Sequence, residues 1–162
     1  VARLAMENDL RRALARGEFV LHWQPVVGFP ARGAGPRMVG AEALVRWHHP
    51  ERGMVNPGVF VPIAERFGLI GSLGQWVIDE ACRQMRIWQD TGAGMHVAIN
   101  LSVHQLRQSD LVERVQEALR RHAIEEERIE QHAGIFGDAG IDLVEPVAVI
   151  AIFELPAFNV RA

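Results

Sequence analysis

Between Met38 and Trp47 the chain alternates two kinds of side chain, with Gly40, Glu42, Leu44 and Arg46 at one set of positions and Val39, Ala41, Ala43, Val45 and Trp47 at the other. Successive side chains of a strand point to opposite faces, so this period of two demands a strand with an apolar face for a core and a second face carrying an acid and a base. Glu42 and Arg46 therefore point the same way. An earlier run from Phe19 to Val27, rich in β-branched and aromatic residues, sets Val20, His22 and Gln24 opposite Phe19, Leu21 and Trp23 and reads as a partner strand. The Gly- and Pro-rich residues 28–36 between them read as a flexible turn, which fits a hairpin.

Helical signals surround these strands. Leu4, Leu10 and Leu14 stand among charges before Gly17, as in a surface helix or helical linker over residues 1–16. Residues 48–53 read as a loop leading to a short helix near Pro62, whose fixed φ suits a first turn, with Gly68 as the stop. Ser72 and Gln75 have the spacing of a capping box, and Leu73, Val77, Ala81, Met85 and Trp88 recur at helical spacing as far as Thr91-Gly92. His96 to Leu101 reads as a strand presenting Asn100 at its end, and Leu111, Val115, Ala118 and Leu119 mark another helix closed by Arg120 and Arg121. The order β-β-α-α-β-α is that of an α/β fold with a largely parallel sheet, in which functional groups gather at the carboxyl ends of strands.

A chain of 162 residues, 49% of them apolar, suffices for one domain with a sizeable core. The formal net charge is −3 and the arginines are scattered among acids, so no nucleic-acid footprint is visible. A single cysteine, Cys82, cannot form an internal disulfide and suits a reducing, cytoplasmic setting. No basic-then-apolar leader is present, and the apolar run Val147 to Phe153 is far too short to span a bilayer. The first residue is Val1 rather than methionine, which sets the expectation of an upstream neighbour.

Gln24-Pro25, Gly40-Ala41-Glu42-Ala43-Leu44-Val45-Arg46-Trp47, His49-Pro50, Phe60-Val61-Pro62-Ile63-Ala64-Glu65, Gly68-Leu69-Ile70, Leu73-Gly74-Gln75-Trp76-Val77, Ala81-Cys82, Trp88 and Asn100-Leu101-Ser102 stand in the order and spacing of EAL domains. The chain thus resembles the amino-terminal half of a bacterial cyclic di-GMP phosphodiesterase domain, from about Leu10 to Ile129. That resemblance implies an incomplete, modified TIM-like (β/α) barrel with one antiparallel strand, hydrolysis of cyclic di-GMP to pGpG, and a Mg²⁺ or Mn²⁺ pair. It places Glu42 and Asn100 at metal-ligand positions, where hard oxygen donors are needed, and Arg46 where a planar guanidinium grips a substrate phosphate. Gln24 and Leu44 match positions beside the nucleotide. Residues 17–130 form the family-like part; an upstream diguanylate cyclase-like (GGDEF) or sensor domain and a homodimer are further expectations.

Agreement with the family stops within two residues of Glu130. Laid without gaps, the family strand of the type Leu-Glu-Leu-Glu-Ile-Thr-Glu-Ser falls on Gln131, His132 and Ala133, and an alkyl side chain, Ile135, stands at the metal glutamate. Phe136-Gly137-Asp138 only loosely echoes the family's paired aspartates before Phe-Gly. Residues 131–162 therefore read as a divergent tail, with candidate strands at 141–143 and 147–153, and a frame shift or artificial junction near Glu130 is the leading explanation, with real divergence as the alternative. The tail acids Asp138, Asp142, Glu145 and Glu154 read as a solvated face rather than a rebuilt metal cluster. His48 and His49 read as loop residues, Trp76 and Trp88 as core, and Cys82 as a small buried side chain. No catalytic residue is assigned. Two ligands cannot hold two divalent ions, so hydrolysis by this chain alone is not expected; a degenerate module that binds cyclic di-GMP or a protein partner, or a non-functional product, are the other readings.

Overall fold

The computed structural model describes residues 2–29, 35–91, 96–124, 129–130 and 148–154. A first helix, α1 (Ala2–Arg16), leads into the antiparallel pair β1 (Phe19–Gly28) and β2 (Arg37–His49), whose register sets Gln24 against Glu42 and Val20 against Arg46. The expected hairpin is therefore present. Strand β2 runs two residues further than the alternation alone suggests and turns into β3 (Gly53–Val55), so His48 and His49 are strand residues rather than loop residues.

The next helix, α2 (Pro57–Arg66), starts earlier than expected. Asn56 caps it by accepting from the backbone N–H of Gly58 at 2.8 Å, and Pro57 takes the first helical position, leaving Pro62 inside the helix. Gly68 does end it, with φ +70°: the N–H of Leu69 donates to the carbonyl of Ala64 at 2.7 Å and that of Gly68 to Glu65 at 3.3 Å, a Schellman closure. Because that closure finishes at residue 69, α3 (Ile70–Asp90) begins at once, with no side-chain cap. Ser72 lies within it, and Gln75 accepts from Arg114 at 2.7 Å instead of completing a capping box. The buried stripe Leu73, Val77, Ala81 and Met85 fulfils the expected helical period.

Strand β4 (His96–Leu101) lies parallel to β2, pairing Gly40 with His96 through Ala43 with Ile99. It is followed by a single-turn helix, α4 (Val103–Leu106), and by α5 (Leu111–Arg121), which buries Leu111, Val115, Ala118 and Leu119 as the period requires. Arg114 ties α5 to α3, donating to Gln75, to Gln108 at 3.0 Å and to the carbonyl of Gly71 at 2.9 Å.

Two further strands, β5 (Ile129–Glu130) and β6 (Ala148–Glu154), complete the order β1-β2-β4-β6-β5. An antiparallel strand, as expected of the fold, is there in β1. Antiparallel pairing also occurs between β2 and β3, β4 and β6, and β5 and β6, which the sequence did not signal. The strand anticipated at 147–153 corresponds to β6; the one anticipated at 141–143, the residues matched to the family strand after Glu130, Phe136 to Asp138, and the acids Asp138, Asp142 and Glu145 lie outside the described residues. No helix among the described residues is long and apolar enough to cross a membrane.

Two apolar clusters share the sheet. One joins α1, the start of β1, the end of β2, α2 and the start of α3 around Leu10, Phe19, Trp47 and Phe60. The other packs α3 and α5 against β2 and β4 through Ile78, Cys82, Met85, Val97, Ile99, Leu101 and Leu119. Trp76 and Trp88 are partly buried against these clusters, with Trp88 edge-on to Trp23 at 4.7 Å.

Candidate functional site

The pleat of β1, β2 and β4 decides which residues meet. Cross-strand partners share a face, so Gln24 lies beside Glu42, His22 beside Leu44 and Ala98 beside Glu42 from the other side. Stepping by two along β2 and β4 adds Arg46 and Asn100 to that face. All five residues expected at the site, Gln24, Glu42, Leu44, Arg46 and Asn100, therefore occupy one face of three neighbouring strands. Opposite them Ala41, Ala43, Val97 and Ile99 are buried in the core.

Glu42 and Asn100, separated by 58 positions in the chain, are in direct contact: Nδ2 of Asn100 donates to Oε1 of Glu42 at 2.7 Å. Asn100 thus uses its amide across the sheet rather than to cap the following helix, a role that Ser102 takes. The bond leaves Oδ1 of Asn100 and the second carboxylate oxygen of Glu42 without a protein partner among the described residues. Both residues are half-buried, so these oxygens can take a cation without its full desolvation. Hard oxygens of this kind fit Mg²⁺ or Mn²⁺. They fit as two members of a donor set: among the described residues no group of three or more His, Cys, Asp and Glu side chains is placed to hold a metal.

Arg46, also half-buried, donates through Nη1 to the carbonyl of Val45 at 3.0 Å. Anchoring one nitrogen fixes the plane of the guanidinium while its other donors have no protein partner among the described residues, a geometry suited to a phosphate. Gln24 is exposed and Leu44 half-buried beside it.

Several structural residues near this face carry weaker signals in the sequence. His49, 5% exposed, is a strut: its Nε2 lies 3.3 Å from Oδ2 of Asp9, and its Nδ1 accepts from the backbone N–H groups of Glu51 and Arg52. His48 points to the opposite, exposed side, with its ring 6.4 Å from that of His22. Ser102 and Gln105 form the capping box that the sequence reading assigned to Ser72 and Gln75; both pairs show the same Ser-x-x-Gln spacing, and only tertiary context separates them. A cavity of about 470 Å³ lies elsewhere, lined by Met6, Arg52, Val59, Pro62, Ile63 and Phe67 among others, and shares none of the five site residues.

The family model for the EAL domain matches residues 7–130. The bifunctional diguanylate cyclase/cyclic di-GMP phosphodiesterase MucR of Pseudomonas aeruginosa is 44% identical over 156 residues, covering 93% of this chain and 22% of MucR. The cyclic di-GMP phosphodiesterase PdeR of Escherichia coli is 43% identical over 103 residues, covering 64% of this chain and 15% of PdeR. Among solved structures, the PaMucR phosphodiesterase in complex with c-di-GMP superposes with a TM-score of 0.68 at 48% identity, covering 75% of this chain and 48% of that one. The chain thus spans about a fifth of MucR's length and about half of the superposed structure. With the family model matching residues 7–130, most of its length, this chain belongs to the EAL domain family.

Proposed function

We propose that this chain is the portion of a cyclic di-GMP phosphodiesterase module that supplies two metal-ligating oxygens, from Glu42 and Asn100, and the phosphate grip, from Arg46, with Gln24 and Leu44 beside the nucleotide. The observation that carries this is the 2.7 Å contact between Glu42 and Asn100 on the same face as Arg46. Phosphodiesterases of this family depend on divalent metal ions. Glu42 and Asn100 would hold a Mg²⁺ or Mn²⁺ ion, which would supply charge against a phosphoryl oxygen and acidify a water. The chain's own residues do the rest of the recognition. Arg46 pairs with a phosphodiester oxygen, Asn100 holds the Glu42 carboxylate in a fixed rotamer, and Gln24 offers an amide to a base edge or ribose. The two donors present among the described residues do not make a binuclear site, and on this reading the chain by itself binds the nucleotide without turnover. Supply of further carboxylates by the rest of such a module, and signal input from a diguanylate cyclase-like or sensor domain, complete the proposal; a homodimer and a cytoplasmic setting accompany it.

Calorimetric titration of cyclic di-GMP into the chain with Mg²⁺ tests it. Saturable binding, weakened at least about tenfold in Arg46→Ala, which corresponds to about 1.4 kcal/mol, is the expected result. Absence of binding, or equal binding by Arg46→Ala, contradicts it. A second reading, a non-catalytic EAL module, is favoured by the two-donor set among the described residues. Joining this chain to the remaining length of a relative's EAL domain separates the two, because Mg²⁺-dependent pGpG formation appears only under the first.

A further inference from the structure

The parallel pairing of β2 with β4 ends at Ala43 and Ile99, one residue short of Asn100. On the other side the register with β6 slips between Ala98 and Asn100. The residue whose amide reaches Glu42 therefore stands at an irregular strand end, where the ladder to β2 no longer dictates its orientation. The next fixed point is Ser102, two residues on. Its backbone N–H donates to Oε1 of Gln105 at 3.0 Å, and its hydroxyl accepts from the backbone N–H of Gln105 at 3.4 Å. Leu101 is buried between these anchors at 1% exposure.

Gln105 is itself 3% exposed, an unusual depth for a long amide on a single-turn helix. It reaches that depth because α3 carries Gly74 at the contact: a Cβ built on Gly74 overlaps Nε2 of Gln105 and lies 2.7 Å from its Cδ. Glycine inside a helix costs about 1 kcal/mol relative to alanine, and here the missing methyl opens the seat for the glutamine amide. Arg114 holds the same corner from α5, bonding the carbonyl of Gly71 and the side chain of Gln108.

We infer that Gly74 and Gln105 are positioning residues for the Glu42–Asn100 pair: the seat on α3 locks the Gln105 amide, the amide locks Ser102, and Ser102 sets the strand end that aims Asn100 at Glu42. The consequence for metal and nucleotide rests on the functional reading above, whereas the positioning itself does not. Gln105→Ala removes the lock. Gln105→Glu keeps an Oε acceptor for the Ser102 N–H and so keeps the capping box.

The test is nuclear magnetic resonance of the ¹⁵N-labelled full chain, reading the side-chain amide of Asn100, assigned by its disappearance in Asn100→Asp. Glu42→Ala supplies the reference position for a broken bond. Gln105→Ala is expected to move the Asn100 amide signals to that reference position while far-ultraviolet circular dichroism stays that of the native chain, and Gln105→Glu is expected to restore the native position. Signals of Asn100 unmoved in Gln105→Ala, or moved equally by Ala and Glu, overturn the inference. Should Gln105→Ala not fold, Gly74→Ala/Gln105→Ala fills the vacated space with a methyl while leaving the lock absent, and the same signal decides. If these shifts occur but added Mn²⁺ leaves Glu42 and Asn100 untouched, the positioning stands and the functional reading fails.

Discussion

The two faces of β2 use polar groups in opposite ways. Near Trp47 and His49 each buried polar group is closed off by another protein group: the indole N–H of Trp47 donates to Glu18 at 3.0 Å, and His49 is held by Asp9 and by two backbone N–H groups. Around them Phe19, Trp47 and Phe60 pack with ring centroids 5.6–5.9 Å apart. On the other face of the same strand, Glu42 shares one bond with Asn100, and Arg46 one with the carbonyl of Val45; both are half-buried, with capacity left over among the described residues. Buried polar groups that are fully paired hold the fold, whereas groups left partly paired on an accessible face keep acceptors and donors available.

Substitutions should separate the two faces by size and kind of effect. Trp47→Ala empties a fully buried site and is expected to cost about 3–5 kcal/mol in denaturant unfolding, the largest loss of any change considered. Glu42→Gln keeps an acceptor for Asn100 and is expected to cost under about 1.5 kcal/mol while abolishing the effect of Mn²⁺ on its neighbours; a loss like that of Trp47→Ala would make Glu42 a structural residue. Arg46→Ala is expected to stay within about 0.5 kcal/mol of the parent in stability yet to weaken the nucleotide, a split that chemical denaturation and calorimetry read independently.

Acid tests the closed face. Arg12 first, then His49, hold the Asp9 carboxyl below the ordinary carboxylate range. A lowered folded-state value contributes stability that is complete above the unfolded carboxylate value, near about 4, and is lost as pH falls through the folded one. The melting temperature of Asp9→Asn should therefore lie below that of the parent at neutral pH, with the gap closing on acidification below about pH 4. A constant gap would remove Asp9 from the account. Least visible is Cys82, whose thiol burial first, and Asp79 second, push up to about 12. It should stay unlabelled by maleimide at pH 8 in the folded chain and react on unfolding; rapid labelling would show α3 to be loosely packed.

The strands that carry the candidate site were legible because alternation is local: a period of two in residues 38–47 puts Glu42, Leu44 and Arg46 on one face whatever surrounds them. Helix α3 was legible for the same reason, through its apolar period. Its start was not. Ser72–Gln75 and Ser102–Gln105 look alike in sequence, and the Schellman closure from Ala64 to Leu69 decides that the first pair falls inside a helix. Pro62 misled in a similar way, since Asn56 and Pro57 already supply the start of α2. The direction of β6 had no local signature, because whether a strand pairs parallel or antiparallel depends on the neighbour it meets. The contact between Glu42 and Asn100 joins residues 58 apart, and only family resemblance linked them beforehand.

The most direct test of the central claim, that the Glu42–Asn100 pair is a metal-binding edge rather than a structural bond, is paramagnetic broadening by Mn²⁺ in the ¹⁵N spectrum of the chain. The signals of Glu42, Ala43, Asn100 and Leu101 are expected to broaden before those of the exposed acids Asp90, Glu113 and Glu117, and Glu42→Gln to remove this preference. Broadening that begins at those exposed acids, or that is unchanged in Glu42→Gln, would contradict a metal-binding role for the pair.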